Sequence, residues 1–275
     1  MRLELVLILA GAAAVMLVPR IFGDPQGVDP DGWRLTGYFL LVFAATLAVR
    51  GLRPLAPLAF AFLTLSLPFS LWLWLLGYAG PAPGLIGPAD SVARNAFAGV
   101  AQLVVALAMA LAFWFMASRP PLRLWGRPGA LALAMTVAGT LLFLGIAFGL
   151  PANLLGRQGV PLLALSGSAG AALGVANAAS AVAQEVQFRA VLLGALQRHF
   201  SPLTSVAIQG VVFGLGHLAI QYEGPAASFI PIVIGLGCLW GWTTVRSRSL
   251  LPAAVMHVAA DFFVLAAVVS GLYGG

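Results

Sequence analysis

Five residues able to do acid, base or cationic chemistry stand inside otherwise apolar stretches: Glu185, Arg189, His217, His257 and Asp261. An ionised side chain at the centre of a membrane helix costs on the order of 3 kcal/mol on insertion scales, so each is a functional candidate by default. Glu185 and Arg189 are four apart in Gln184-Glu185-Val186-Gln187-Phe188-Arg189. On a helix they share a face and can pair, and an ion pair that only neutralises itself is the plain alternative. Gln184 and Gln187 add polar groups that also need partners in an apolar medium. His217 closes the run Phe213-Gly214-Leu215-Gly216-His217, whose two glycines let a second helix or a substrate come close. His257 and Asp261 are again four apart, a spacing at which a carboxylate can orient an imidazole or share a metal with it. Each signal is weak alone, since a lone histidine is ordinarily a packing contact. Together, two imidazoles, two carboxylates and a guanidinium on apolar helices need one another, and one buried polar pocket is the cheapest arrangement. Hydrolysis suits such a pocket: a carboxylate can deprotonate water, and imidazoles can bind a metal or stabilise an oxyanion.

The elements that must position these groups are membrane helices. Of 275 residues 61% are hydrophobic and only 8% charged, against roughly 25% in a soluble domain, and the mean hydropathy is +1.01. This excludes a soluble enzyme, a disordered chain and a disulfide scaffold. Continuous apolar runs, with no period-two alternation, exclude an outer-membrane barrel. The fold class expected is all-α, a polytopic transmembrane helix bundle of about eight or nine spans. The candidate spans are Leu3–Val18, Trp33–Val49, Leu55–Leu76, Gly99–Met116, Ala130–Leu150, Val160–Leu196, Pro202–Ile220, Ser228–Val245 and Leu250–Leu272. Leu3–Val18 reads as a retained span because no small-residue cleavage site follows it. Val160–Leu196 would make a helix of about 55 Å, so it must tilt, kink or split.

Fourteen Arg and no Lys stand against eight acidic residues, a formal +6. The Arg residues are scattered singly between apolar runs, which suits membrane orientation and not nucleic acid. With a cytoplasmic N-terminus, one side carries Arg2, Arg50, Arg53, Arg119, Arg123, Arg127, Arg198, Arg246 and Arg248. The other carries Arg20, Arg34, Arg94 and Arg157, with the acidic loop Asp24–Asp31 and the loop Gly77–Ala98. That follows the positive-inside bias, and the localisation expected is a bacterial inner membrane. Residues 1–157 hold helices of no assigned role, and 158–275 hold every intramembrane ionisable residue singled out above.

The three polar clusters resemble, in order, the motifs of the CPBP intramembrane proteases, the CAAX protease and bacteriocin-processing (Abi) family. The family's Glu-Glu-x-x-x-Arg, Phe-x-x-x-His and His-x-x-x-Asn/Asp stand here as Q-E-V-Q-F-R, F-G-L-G-H and H-V-A-A-D. Phe188-Arg189-Ala190-Val191-Leu192 and Ser249-Leu250-Leu251-Pro252 match flanking text, and the resemblance spans roughly residues 160–272. It implies an intramembrane endopeptidase that cuts a membrane-associated or lipidated (CAAX-like) peptide. The first Glu of the pair would be general base with His217, and His257 with Asp261 would help form an oxyanion site. Glu185, His217, His257 and Asp261 could ligate zinc, and a metal-free route is equally consistent. Phe213 and Gln187 would border the pocket. The departure is Gln184 at the position of the base, because an amide cannot take a proton from water at neutral pH. Either Glu185 takes over, which needs the helix to rotate by about 100°, or the chain is non-proteolytic, or Gln184 is an introduced near-isosteric replacement.

Two other functions fit the same residues. One is a non-proteolytic membrane scaffold, immunity or acyl-transfer accessory protein on the same fold. The other is a transporter with a proton relay, against which no matched pair of interrupted helices is found. Membrane lipid and a membrane or lipidated peptide are the partners expected. His199, beside Arg198, reads as solvated and outside the site. Cys238 reads as a packing residue, Asn177 and Ser180 as marginal pocket neighbours, and Trp72, Trp74, Trp240 and Trp242 as anchors or helix contacts without chemistry.

Overall fold

A computed structural model describes residues 6, 10–11, 33–76, 92–117, 128–149, 167–217 and 226–273. Most of the first candidate span, the loop Asp24–Asp31 and residues 77–91 lie outside these residues. So do Arg119, Arg123, Arg127, Arg157 and the division at residue 157. The described residues are helical throughout, apart from short turns, and contain no strand.

We label the helices α1 (Trp33–Ala48), α2 (Ala56–Leu76), α3 (Val92–Ala117) and α4 (Ala130–Gly149). There follow α5 (Ser168–Glu185), α6 (Pro202–Gly216), α7 (Ala226–Ser247) and α8 (Leu251–Tyr273). A 3-10 segment, Arg50–Leu55, joins α1 to α2, and Pro54 within it supplies the fixed φ of a tight turn. Two described segments, Arg50–Pro68 and Ala96–Ala117, are long and apolar enough to cross a membrane. Arg34–Ala48, Ala130–Gly145, Pro202–Gly216 and Leu251–Phe262 are shorter apolar helices. The described part of the chain is all-helical, and its apolar helices are of the kind a membrane protein carries.

Two boundaries differ from expectation. Helix α3 begins at Val92, so the end of the expected loop Gly77–Ala98 is helical. Gly99 explains part of this: a Cβ there would meet the Ala176 carbonyl oxygen, so the early turns of α3 are pressed against α5. Helix α6 ends at Gly216 with His217 at its C-cap, and the expected end at Ile220 lies outside the described residues. Its start is set by Ser201, whose side chain accepts from the Thr204 amide, with Pro202 at the first helical position. The long stretch is resolved by a change of helix type. Helix α5 runs on without a break through a π-helical segment, Val186–Leu192, into a last α-turn, Leu193–Leu196. Such single-turn π segments widen the helix and gather at functional sites. Here the segment follows Glu185 and contains Arg189.

The core sits around that rod. One apolar cluster joins Phe39, Leu58, Phe62 and Phe113 from the first three helices to Val191, Leu192 and Leu196. Helix α3 packs along α5, and α8 packs against α4, α5 and α7, while α6 and α7 form a close pair. Arg198 donates to the Ala117 carbonyl at 2.5 Å, so the rod and α3 end together. A cavity of about 240 Å³ lined by Gly129–Ala132 and by Trp242, Thr243 and Arg246 brings the start of α4 to the end of α7. His199, in the turn after the rod, is half-buried and not solvated as expected; burial and the adjacent Arg198 hold its imidazole below the usual histidine range.

Candidate active site

Helices α5 and α8 meet at Glu185, the last residue of α5 before the π segment, eleven residues or about 16 Å from the end of the rod. Its carboxylate is buried, and Oε1 receives two cationic or potentially cationic groups. Arg189 Nη1 approaches it at 3.0 Å along the same helix. His257 Nδ1, from α8, approaches it at 2.6 Å. A carboxylate only accepts, so Nδ1–H of His257 is the donor, and this fixes the ring. The other ring nitrogen, Nε2, faces Asp261 Oδ1 at 3.5 Å, within ion-pair reach but long for a hydrogen bond. Asp261 is held in turn through its backbone, whose carbonyl accepts from Asn177 Nδ2 at 2.7 Å.

Arg189 is fully buried, and aromatic faces surround it. Its guanidinium carbon lies 4.5 Å from the Phe213 ring centroid, 5.4 Å from Trp240 and 5.7 Å from Phe188. Desolvated cation–π contacts of this kind contribute on the order of 2 kcal/mol. Nη2 also points at the Gly237 carbonyl at 3.5 Å, where α7 carries no side chain to block it. Trp240 stacks on His257 with centroids 4.3 Å apart and planes at 24°, and meets Phe213 edge-on.

His217 joins the same group through Phe213, with ring centroids 4.7 Å apart. Phe213 also lies 5.7 Å from His257 and so stands between the two imidazoles. Nδ1 of His217 lies 2.8 Å from the Phe213 carbonyl oxygen. A carbonyl cannot donate, so Nδ1 carries the proton, and in the neutral ring Nε2 presents its lone pair. His217 is half-buried, as is Gln184, whose amide has no hydrogen-bond partner among the described residues.

Glu185, Arg189, His217, His257, Asp261 and Phe213 are thus linked in one chain of contacts. Gln187 is turned the other way. Its amide donates to the Thr64 carbonyl at 2.7 Å, tying the π segment to α2 and not bordering the pocket. Trp240 and Asn177 are the contributors that motif spacing missed or underrated. Trp240 lies in an apolar run with no polar neighbour to mark it, whereas Asn177 was visible as a polar residue two turns before Gln184.

Zinc would be left Glu185 Oε2, His217 Nε2 and the loosely held His257 Nε2, donors that are not grouped as a metal site among the described residues. Glu185 Oε1 and His257 Nδ1 are spent on each other, and His217 Nδ1 is spent on a backbone carbonyl. Among the described residues no three His, Cys, Asp or Glu side chains are grouped to hold a metal ion. What the arrangement offers is one free imidazole nitrogen beside a buried, charge-balanced Glu–Arg–His cluster.

Residues 166–263 match the family model described as type II CAAX prenyl endopeptidase Rce1-like. No curated protein and no solved structure matches the chain.

Proposed function

We propose, from the match of residues 166–263 to the type II CAAX prenyl endopeptidase Rce1-like family model, that this chain is an intramembrane endopeptidase acting on a membrane-associated or lipidated peptide. The observation that carries the reading is the convergence of Glu185, Arg189 and His257 on one carboxylate oxygen, with His217 Nε2 free beside them. In the chain as it stands, His217 Nε2 takes the proton from the attacking water. Gln184 occupies the place of the stronger base and offers only an amide. Glu185 is the poorer substitute, because Oε1 already accepts from His257 and is ion-paired with Arg189. His257, held by Glu185 and stacked on Trp240, is placed to meet charge developing on the carbonyl oxygen of the substrate. The occupied donors favour a route without metal, and elemental analysis of the purified protein is expected to find zinc well below one per chain.

The remaining features of the reading concern the membrane. Eight or nine spans, a cytoplasmic N-terminus and a bacterial inner membrane follow from the apolar runs and the Arg bias. Arg198 beside Ala117, and Arg246 beside the start of α4, support gathering of the basic loops at one end.

Gln184 favours a second reading, a non-proteolytic member that binds lipidated peptide without cutting it. One assay separates the two. The chain and its Gln184→Glu variant, reconstituted in liposomes, are given a fluorogenic farnesylated CAAX-type peptide. Endopeptidase function predicts slow cleavage by the first and a rate raised about 100-fold or more in the second, the range a positioned general base supplies. Saturable binding with no cleavage by either form would establish the second reading instead.

A further inference from the structure

The close pair α6–α7 carries polar groups that neither the ion cluster nor the family motifs employ. Along α6 the residues at four-residue steps are Ser201, Ser205, Gln209, Phe213 and His217. They form a slowly winding stripe about 24 Å long, from the exposed turn at Ser201 to the half-buried His217. Ser205 and Gln209 are fully buried at 0% exposure. The hydroxyl of Ser205 and both amide atoms of Gln209 have no hydrogen-bond partner among the described residues. Arg189 Nε and Glu185 Oε2 share that condition.

These orphaned groups are neighbours. The Gln209 carbonyl oxygen rests on Gly241, where an added Cβ would lie 2.5 Å from it. One turn earlier on α7, Gly237 takes Arg189 Nη2 on its carbonyl. The Gln209 amide and the Arg189 guanidinium thus meet successive turns of one face of α7, at glycines about 6 Å apart along its axis. No direct hydrogen bond joins the two groups, and bridging water would satisfy both. Several buried unsatisfied groups in a single column are costly unless ordered water serves them, and a buried water ordinarily makes about three bonds.

We infer that Ser205 and Gln209 line a narrow hydrated seam between α6 and α7. It leads water from the Ser201 turn to the Arg189–Glu185 cluster. A hydrolase whose site is enclosed by lipid needs such a supply for each turnover, so the seam's purpose rests on the hydrolytic reading above, while its hydration does not. No covalent step is involved: Ser205 and Gln209 are positioning residues that hold solvent through ordinary hydrogen bonds.

The test is radiolytic hydroxyl-radical labelling of the full chain in membranes, read by mass spectrometry. Phe213 and Trp240, at 1% and 2% exposure, border the inner end of the seam, and Phe113 at 0% is the dry control in the apolar core. Hydration predicts strong labelling of Phe213 and Trp240 and little of Phe113. In Gln209→Leu and Ser205→Ala chains labelling of the first two falls several-fold. The same variants lower kcat several-fold at unchanged KM in the active background and leave thermal stability equal or raised, because an unpartnered polar group has been removed. Labelling of Phe213 and Trp240 no greater than that of Phe113 overturns the seam. So does strong labelling that neither variant alters. If labelling behaves as stated but no form of the protein cleaves peptide, the hydrolytic reading fails and the hydrated seam stands.

Discussion

Many hydroxyls of the first four helices and the charged groups of the last four meet their needs in different ways. Thr46, Thr64, Ser66, Ser70 and Thr136 each donate to a carbonyl three or four residues back on their own helix, at 2.7–3.3 Å. A hydroxyl satisfied this way is neutral and asks nothing of its neighbours. Among the residues of the site His217 alone bonds back in this way, to the Phe213 carbonyl, and the others reach outside their own helix. Glu185 reaches across 72 residues of sequence to His257, Arg189 across 48 to Gly237, and Asn177 across 84 to Asp261. Thr243 and Thr244 in α7 bond backward like the threonines of the first half, so the division follows chemistry and not position alone. In a lipid-embedded chain, polarity by itself says little. Polarity that a helix cannot satisfy alone points to a site.

Six substitutions sharpen or break that contrast, with Thr64→Val and Thr136→Val as controls and the others in falling order of effect. His217→Ala in the Gln184→Glu chain is expected to lower kcat/KM by roughly 10²–10⁴, the worth of a positioned base. Thr64→Val, which removes a self-satisfied hydroxyl, should leave the rate within experimental error, and an equal loss in both would erase the distinction. Next come Glu185→Leu and Arg189→Leu. Each alone strands a buried charge and should cost about 3–5 kcal/mol of stability, whereas the double exchange should recover most of it while remaining inactive. Reversible unfolding in mixed micelles measures both. Gln187→Leu should cost about 1 kcal/mol, the scale of an interhelical hydrogen bond in a membrane, with cleavage unchanged because its amide binds Thr64 and not substrate. Thr136→Val should change stability by no more than about 0.5 kcal/mol.

The sequence showed the helices well where a span is apolar from end to end. Trp33–Val49 and Ala130–Leu150 agree with α1 and α4 to within a residue at each end. It showed less where packing overrides hydropathy. The first turns of α3 contain Arg94 and Asn95 and read as loop, yet close contact of Gly99 with Ala176 extends the helix back to Val92. The π segment left no mark that periodicity could detect, although Val160–Leu196 was too long to cross unmodified. Within the site, i and i+4 spacing predicted both the Glu185–Arg189 and the His257–Asp261 contacts, since helix geometry alone brings those pairs together. The contact between Glu185 and His257 depends on how α5 meets α8, and no spacing in the chain encodes that. Trp240 was hidden for the same reason: an indole in an apolar helix looks like every other buried aromatic until its neighbour is known to be an imidazole.

The 2.6 Å contact between Glu185 and His257 holds the site together. A double-mutant cycle of Glu185→Gln and His257→Gln, followed by reversible unfolding, measures it directly. A hydrogen bond to a charged group predicts a coupling of about 1.5–3 kcal/mol; additive losses, with no coupling, would mean the two side chains do not meet and that the site does not exist in this form.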